Sequence, residues 1–207
     1  MKISKIEQSL DIIDDVYVLS ASMRGLEKHA STHPIQQSLL DLAGLLGNNV
    51  KWALCGGLAV GLHAQPRGTQ DIDILLDGDV IIDDVVRLTQ SVFGHNRLRA
   101  LEHKQLGVEV DLVTPEFIKV APFIVSTAID AAIVSVFNGV NIPVVSKEGL
   151  VALKLNRASD YDMGDIKVIM RNNPDLDLFQ YNLGEKEKKI FDDIKKIKKK
   201  EENHANN

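Results

Sequence analysis

The chain has 207 residues, of which 44% are hydrophobic and 26% charged, and its formal net charge at pH 7 is −5. This is the composition of an ordinary globular protein, and the acidic balance argues against a broadly basic surface for nucleic acid. The single cysteine, Cys55, excludes an intramolecular disulfide and a cysteine metal cluster and suits a reducing compartment. Charges interrupt the N-terminal residues, and no apolar run approaches the ~20 residues that span a bilayer. We therefore expect a cytoplasmic protein with no membrane partner.

Apolar residues recur along the chain with the periods of both helices and strands. A period near 3.6 predicts a helix, alternation predicts a half-buried strand, and Gly, Pro and Asn mark the turns between them. In chain order these patterns predict helices over residues 3–19 and 36–46, a strand over 50–55, a helix over 58–63, a turn at 66–68, a strand over 71–76, a helix over 80–93, a strand over 108–113, a hairpin of strands 132–137 and 142–145 about Asn138-Gly139, helices over 147–156 and 162–171, and a lysine-rich helix from Gly184.

Helical patterns flank a central segment in which strands and helices are mixed. We therefore predict an α/β (α+β) fold with a small mixed sheet flanked by helices. The predicted segments are a helical N-terminal segment over residues 1–48, a core over residues 49–146, and a helical C-terminal segment with a lysine-rich tail over residues 147–207.

The most informative run joins Gly56-Gly57 to Asp71 and Asp73. Two glycines after an apolar strand let the backbone approach a phosphate, and a helix that begins there aims unpaired N–H groups at it. Asp71 and Asp73 are two residues apart on a predicted strand, so their side chains share one face. Two adjacent carboxylates repel each other unless a cation lies between them, and hard oxygen ligands suit Mg²⁺. The run therefore predicts a phosphate cradle beside a metal site.

A third carboxylate, Asp111, lies inside the alternating strand over residues 108–113. If this strand lies beside that of Asp71 and Asp73, the three acids converge and could hold the two Mg²⁺ ions of a phosphoryl-transfer site. Glu109 has the same parity and is the rival candidate. We favour Asp111 because it is nearer the carboxyl end of its strand.

Basic and polar residues around the acids complete the candidate site. Arg67 could neutralise a triphosphate, and Thr69 could hydrogen-bond a phosphate or a nearby water. Lys154 lies on an apolar helix and either reaches solvent or contacts a nucleotide phosphate. Asp162 and Asp165 share a helix face, and we leave their roles open between the helix dipole and the site.

Two further residues have the side-chain chemistry for catalysis but have ordinary structural interpretations. We expect His63 to end a helix and Cys55 to be a small buried residue rather than a nucleophile.

These residues resemble the nucleotidyltransferase superfamily of the DNA polymerase beta type. The resemblance rests on Gly56-Gly57, the thirteen residues that follow, Asp71-Ile-Asp73 and Asp111. The run from Gly56 through Asp73 also resembles the bacterial subgroup that includes AbiEii-type toxins of toxin–antitoxin pairs, as do the segments over residues 143–155 and 162–166. One position departs from the pattern: many members carry a basic residue before the acid that matches Asp162, where this chain has Tyr161. Arg157, one turn earlier, is the candidate replacement.

The resemblance implies transfer of a nucleoside monophosphate from an NTP to an acceptor hydroxyl, with release of pyrophosphate. It implies that Asp71 and Asp73 hold both metal ions and that Asp111 completes the metal site and helps to deprotonate the acceptor. Gly56 and Gly57 would position the triphosphate, with Lys154 near it. The acceptor would be RNA, such as tRNA, and an antitoxin protein would be a partner.

Two alternatives share these motifs. A small-molecule nucleotidyltransferase would modify an antibiotic such as an aminoglycoside instead of RNA. A non-catalytic nucleotide-binding module would keep the fold without the reaction, although all three acids of the pattern are present.

Overall fold

The computed structural model describes residues 33–64 and 69–205, with side chains for the described residues up to 197. The helix predicted over residues 3–19, the turn predicted at residues 66–68 and the candidate Arg67 lie outside the described residues.

Seven strands in the described part of the chain form one mixed sheet, in the spatial order β3-β4-β5-β2-β1-β7-β6. The strands are β1 Trp52–Cys55, β2 Asp71–Leu76, β3 Phe93–Arg97, β4 Ala100–His103, β5 Glu109–Val113, β6 Ile133–Phe137 and β7 Val140–Val144.

The helices pack around this sheet, and they confirm the predicted mixed α/β fold. In chain order the described α-helices are α1 Pro34–Leu46, α2 Gly56–His63, α3 Ile82–Thr89, α4 Pro115–Ile118, α5 Pro122–Asp130, α6 Lys147–Arg157, α7 Asp160–Asn172 and α8 Glu185–Ala205, with a 3₁₀ helix at Phe179–Tyr181 before the last of them. No helix of the described residues is both long and apolar enough to cross a membrane.

The centre of the sheet is its most buried part. All four residues of β1 are buried, and β2 is fully buried from Ile74 onward. β2 runs antiparallel to β1 and parallel to β5, while β1 runs parallel to β7. Strands buried on both faces carry nearly continuous apolar side chains, which explains why these two segments were evident from sequence.

One hydrophobic core extends through the described chain, from residue 35 in α1 to residue 194 in α8. It includes residues of all three segments that the sequence predicts. The division at residues 48 and 146 stays a prediction.

The structure gives local causes for the predicted end of α1, the start of α6 and the turn between β6 and β7. The positive φ of Gly47 (48°) ends α1 where a side chain would be strained. The hydroxyl of Ser146 accepts a hydrogen bond from the Gly149 N–H and caps α6. At the β6–β7 hairpin, Asn138 and Gly139 both have positive φ, as a two-residue type I′ turn requires.

The prediction of a helix over residues 80–93 is wrong at its C-terminal end. Helix α3 ends at Thr89, and Phe93 begins β3, which pairs with β4, a strand that the sequence analysis did not predict. Phe93 is almost fully buried and its ring stacks edge-on against His103, with centroids 5.0 Å apart. Phe93, which completes the helical pattern in the sequence, therefore packs into the core as part of a strand.

Candidate active site

The predicted acids lie on two neighbouring parallel strands. Asp73 on β2 pairs in register with Asp111 on β5, and Asp71 pairs with Glu109. Side chains two residues apart share a face and paired residues of parallel strands point the same way, so all four carboxylates lie on one face of the sheet. β2 and β5 are therefore adjacent, as the predicted convergence of the three acids requires.

Gly56 and Gly57 lie against Asp73, because Cys55 at the end of β1 is the register partner of Asp73. Gly56 has φ +62°, and a Cβ placed on it would lie 1.7 Å from Oδ2 of Asp73. The backbone N–H of Gly57 donates a hydrogen bond to the same carboxylate. Glycine is therefore required at position 56 by the close approach of the first turn of α2 to an acid of β2.

Burial and the charges of neighbouring acids make the carboxylates of Asp73 and Asp111 hard to ionise. Burial, followed by the charges of Asp71 and Asp111, raises the pKa of Asp73 to about 6. Burial, followed by the charge of Glu109, also raises the pKa of Asp111, although Arg97 opposes the shift. A region that disfavours negative charge in this way gains stability from a bound cation.

Thr69 and Arg97 contact the acids that neighbour Asp73. The Thr69 hydroxyl donates to Oδ1 of Asp71 over 2.6 Å. The Arg97 guanidinium is hydrogen-bonded to Glu109 and lies 3.6 Å from Oδ1 of Asp111. Across the described residues, no group of three or more His, Cys, Asp or Glu side chains is arranged to hold a metal ion.

The donor chemistry of the site nonetheless fits a divalent cation. Asp71, Asp73 and Asp111 supply hard carboxylate oxygens from one face of two adjacent strands, and Asp73 has a raised pKa that a cation would reverse. Arg97 is hydrogen-bonded to Glu109. This contact favours Asp111 over Glu109 as the third metal ligand, and that choice stays a prediction.

A cavity of about 280 Å³, the Gly56 cavity, opens beside these acids. Thr69 and Asp71 are not among the described residues that line it. Its polar lining consists mainly of Gly56, Gly57, Asp73, Asp111, Lys154 and Arg157.

The basic residues of the Gly56 cavity come from α6 and are paired with acids of α7. Lys154 Nζ lies 2.7 Å from Oδ2 of Asp165 and 3.3 Å from Oδ1 of Asp162. Arg157 donates two hydrogen bonds of 2.7 Å to the two oxygens of Asp162. The structure thus places Lys154 at the cavity, and its contact with a phosphate stays a prediction.

Asp162 is completely buried and has a structural role in the described chain. It forms a capping box with Ser159 at the start of α7, and it accepts the hydrogen bonds from Arg157 and Lys154. Burial opposes its ionisation, but the hydrogen bonds from Arg157 and Ser159 outweigh burial and hold the pKa of Asp162 well below its usual range. Tyr161 is 86% exposed, and the cation that contacts Asp162 most closely is Arg157, so the replacement of the family's basic residue by Arg157 stays a prediction.

His63 and Cys55 have the structural roles expected from sequence. His63 is the last residue of α2, and its Nε2 lies 2.8 Å from the carbonyl oxygen of Val145. Cys55 is 6% exposed, and burial, followed by the charge of Asp73, raises the pKa of its thiol.

The sequence analysis missed Arg97 and Phe117, which border the acids from segments without a recognisable motif. Arg97 ends β3, a strand of which only Phe93 falls within a predicted element, and Phe117 lies in the short helix α4. In the sequence, both residues merely flank the strand over residues 109–113. Hydrophobic periodicity does not distinguish them from the other residues that flank it.

Comparison with known proteins agrees with this architecture at the level of the fold. No protein-family model and no curated protein matches the sequence. A crystal structure of an antigenic nucleotidyltransferase-like protein from Paracoccidioides brasiliensis matches with a TM-score of 0.57 and 18% sequence identity. The match covers 79% of this chain and 88% of that chain. It does not bear on the AbiEii subgroup, which stays a prediction. At this identity the likeness is one of fold, and the chain has a nucleotidyltransferase-like fold.

Proposed function

We propose that this protein is a metal-dependent nucleotidyltransferase that moves a nucleoside monophosphate from an NTP to an acceptor hydroxyl. The observation that carries the proposal is the register of Asp73 with Asp111, beside the Gly56-Gly57 backbone at the start of α2. A phosphate cradle and a carboxylate face then meet at one cavity, which also contains the basic side chains of Lys154 and Arg157.

The reaction requires one bond to form and one to break at the α-phosphorus. The acceptor oxygen attacks this phosphorus, the bond from it to the oxygen that bridges to the β-phosphate breaks, and pyrophosphate leaves with both electrons of that bond. The acceptor proton passes to the carboxylate of Asp111, which lines the cavity beside Asp73. Two Mg²⁺ ions bound by Asp71, Asp73 and Asp111 would stabilise the charge that develops on the entering and leaving oxygens.

The other residues of the site position the donor. The first turn of α2 presents backbone N–H groups toward the triphosphate, and Lys154 and Arg157 offset its negative charge. Arg67 and Thr69, which precede β2, are candidates for further phosphate contacts.

We propose RNA as the acceptor class and a toxin of a toxin–antitoxin pair as the biological role. The support is the resemblance of residues 56–73, 143–155 and 162–166 to the AbiEii-type subgroup. An antitoxin protein is the partner that this role implies.

Incubation with each α-labelled NTP, Mg²⁺, total cellular RNA and a purified aminoglycoside tests the proposal. The wild type should label RNA, and Asp71→Asn/Asp73→Asn should lower the rate by about 10³-fold or more. Asp192→Asn, at an exposed carboxylate on α8, is the matched control and should keep full activity.

Each other result points to a different function. Label in the aminoglycoside and none in RNA would identify a drug-modifying enzyme. Nucleotide binding without pyrophosphate release, across all acceptors, would contradict catalysis and favour a nucleotide-binding module.

A further inference from the structure

A second cavity adjoins the Gly56 cavity and shares two of its residues. This Arg97 cavity measures about 460 Å³. Asp111 and Phe117 line both cavities, so they lie where the two meet. The lining of the second cavity is completed by three consecutive residues, Arg97, Leu98 and Arg99.

The residues of the Arg97 cavity combine positive charge with exposed apolar surface. The Arg97 side chain is 64% exposed, and Leu98, at the turn between β3 and β4, is 77% exposed. The Cζ atom of Arg99 lies 5.1 Å from the centre of the Phe117 ring, and Phe117 is itself 54% exposed. Such a surface suits a ligand that has both phosphate groups and flat rings.

We propose that the Arg97 cavity is the acceptor subsite and that the acceptor it takes is the end of a single-stranded RNA. The inference rests on the proposed function, which it makes more specific. If the triphosphate enters the Gly56 cavity, the acceptor hydroxyl must approach Asp111 from another direction, and the Arg97 cavity provides that approach. Arg97 and Arg99 bind backbone phosphates, and the exposed ring of Phe117 stacks with a base.

The hydrogen-bonding groups of the Arg97 cavity discriminate between the acceptor classes. Two guanidinium groups offer N–H donors that phosphate oxygens accept, whereas the ammonium groups of an aminoglycoside are donors themselves and cannot accept from them. Carboxylates also face the guanidinium groups: Glu109 and Asp111 contact Arg97, and Glu116 lies near Arg99. A guanidinium has five N–H donors, and Arg97 is mostly exposed, so donors remain for a phosphate while these contacts persist.

Binding of a fluorescein-labelled, mixed-sequence single-stranded RNA of ten nucleotides, followed by fluorescence anisotropy, tests the subsite without requiring catalysis. Arg97→Gln/Arg99→Gln should raise the Kd at least about 10-fold and lower the magnitude of the salt-dependence slope by about 1.4, the value for two lost phosphate contacts. Phe117→Ala should raise the Kd about 5-fold or more through lost stacking. The control is Arg87→Gln on α3, which removes an arginine that is 72% exposed and pairs with Asp84. It should leave the Kd unchanged.

Steady-state transfer provides the second readout. The double variant should raise the KM for RNA about 10-fold while the KM for the NTP stays within twofold of the wild type. Equal RNA affinity in the wild type and the double variant would overturn the subsite. So would transfer to an aminoglycoside that exceeds transfer to RNA.

The two proposals fail in distinguishable ways. Arginine-dependent RNA binding without any pyrophosphate release would overturn the proposed function and leave the RNA site in place. Transfer to RNA that is insensitive to Arg97→Gln/Arg99→Gln would support the proposed function and overturn the acceptor subsite. The altered side chains lie largely at the surface, so we expect the melting temperatures of the variants to equal that of the wild type. This control would show that the fold is intact.

Discussion

The Cα of Gly56 lies so close to the carboxylate of Asp73 that a methyl group on it would stand 1.7 Å from Oδ2. No side chain can occupy this space while Asp73 keeps its position. The backbone of Gly56, at φ +62°, is also one that other residues rarely adopt. The contact couples the first turn of α2 to β2, and it therefore couples the predicted phosphate cradle to the predicted metal site.

The first prediction concerns Gly56→Ala. The methyl group should displace the Asp73 carboxylate and lower the rate of transfer by about 10²-fold or more, because small displacements of reacting groups are costly. The left-handed backbone should lower the free energy of unfolding by about 1–2 kcal/mol. Transfer assays and urea denaturation measure the two effects.

The control is Gly164→Ala in α7, where an added methyl group meets nothing within 4 Å. It should raise the free energy of unfolding by about 0.5–1 kcal/mol, as expected for alanine in place of glycine within a helix. Wild-type activity in Gly56→Ala would contradict the coupling between the glycine and Asp73.

The second prediction is that Asp73→Asn stabilises the ligand-free protein. The folded-state pKa of Asp73 is raised to about 6, so its ionised form is disfavoured by folding. Below about pH 4 the carboxyl is protonated in both states and costs nothing, and the cost grows until the pH exceeds 6. The variant should therefore gain about 1–3 kcal/mol over the wild type at pH 8 and clearly less at pH 5.

Urea denaturation of both proteins at the two pH values measures the difference. The amide oxygen of asparagine can still accept the hydrogen bond from the Gly57 N–H. A variant that is less stable than the wild type at pH 8 would show that Asp73 is not held at an electrostatic cost.

The third prediction concerns the pairing of Arg157 with Asp162. Arg157→Ala removes two hydrogen bonds from a fully buried carboxylate, whose remaining side-chain partners among the described residues are Lys154 and Ser159. Because Arg157 is half-exposed, the loss should be about 1–3 kcal/mol at pH 7. The folded-state pKa of Asp162 is lowered, so its stabilising contribution is present above about pH 4 and is lost as the pH falls through the folded-state value.

The difference in unfolding free energy between the wild type and Arg157→Ala should therefore shrink at pH 3. Arg87→Ala removes an exposed arginine that pairs with Asp84 and should change the unfolding free energy by less than about 0.5 kcal/mol. Equal effects of the two substitutions at pH 7 would rule out a buried, structural pair.

The fourth prediction uses Cys55, the only cysteine in the sequence. Cys55 lines the Gly56 cavity but is only 6% exposed, and the pKa of its thiol is raised, so the reactive thiolate is scarce. Reaction with a chromogenic disulfide reagent at pH 8 should be at least about 100-fold slower in the native protein than in denaturant. Rapid native labelling would show that β1 is accessible beside the candidate site.

The central strands and the acid pair could be predicted because their signals are local. The strand over residues 71–76 is indicated by alternating apolar residues, and Asp71 and Asp73 share a face of any strand. Gly56-Gly57 was singled out for a close backbone approach. In this structure that approach is to Asp73, a contact that depends on how β1 pairs with β2.

The remaining features depend on tertiary pairing, which periodicity does not encode. Phe93 fits a helical spacing and a strand equally well, and its stacking against His103 decides between them. Arg97 reaches Glu109 and Asp111 only because β4 lies between β3 and β5 and brings their side chains together. The hydrogen bonds from Arg157 to Asp162 likewise depend on how α6 packs against α7, so the sequence leaves the role of Asp162 open between the helix start and the site.

The most direct test of the central claim compares α-labelled with γ-labelled NTP in the presence of Mg²⁺ and RNA. Nucleotidyl transfer predicts that RNA gains label only from the α-position and that the γ-label leaves as pyrophosphate. Asp73→Asn should abolish both reactions, and Asp192→Asn should leave their rates unchanged. Label in RNA from the γ-position would identify phosphoryl transfer instead, and a wild-type rate in Asp73→Asn would contradict the assignment of the site.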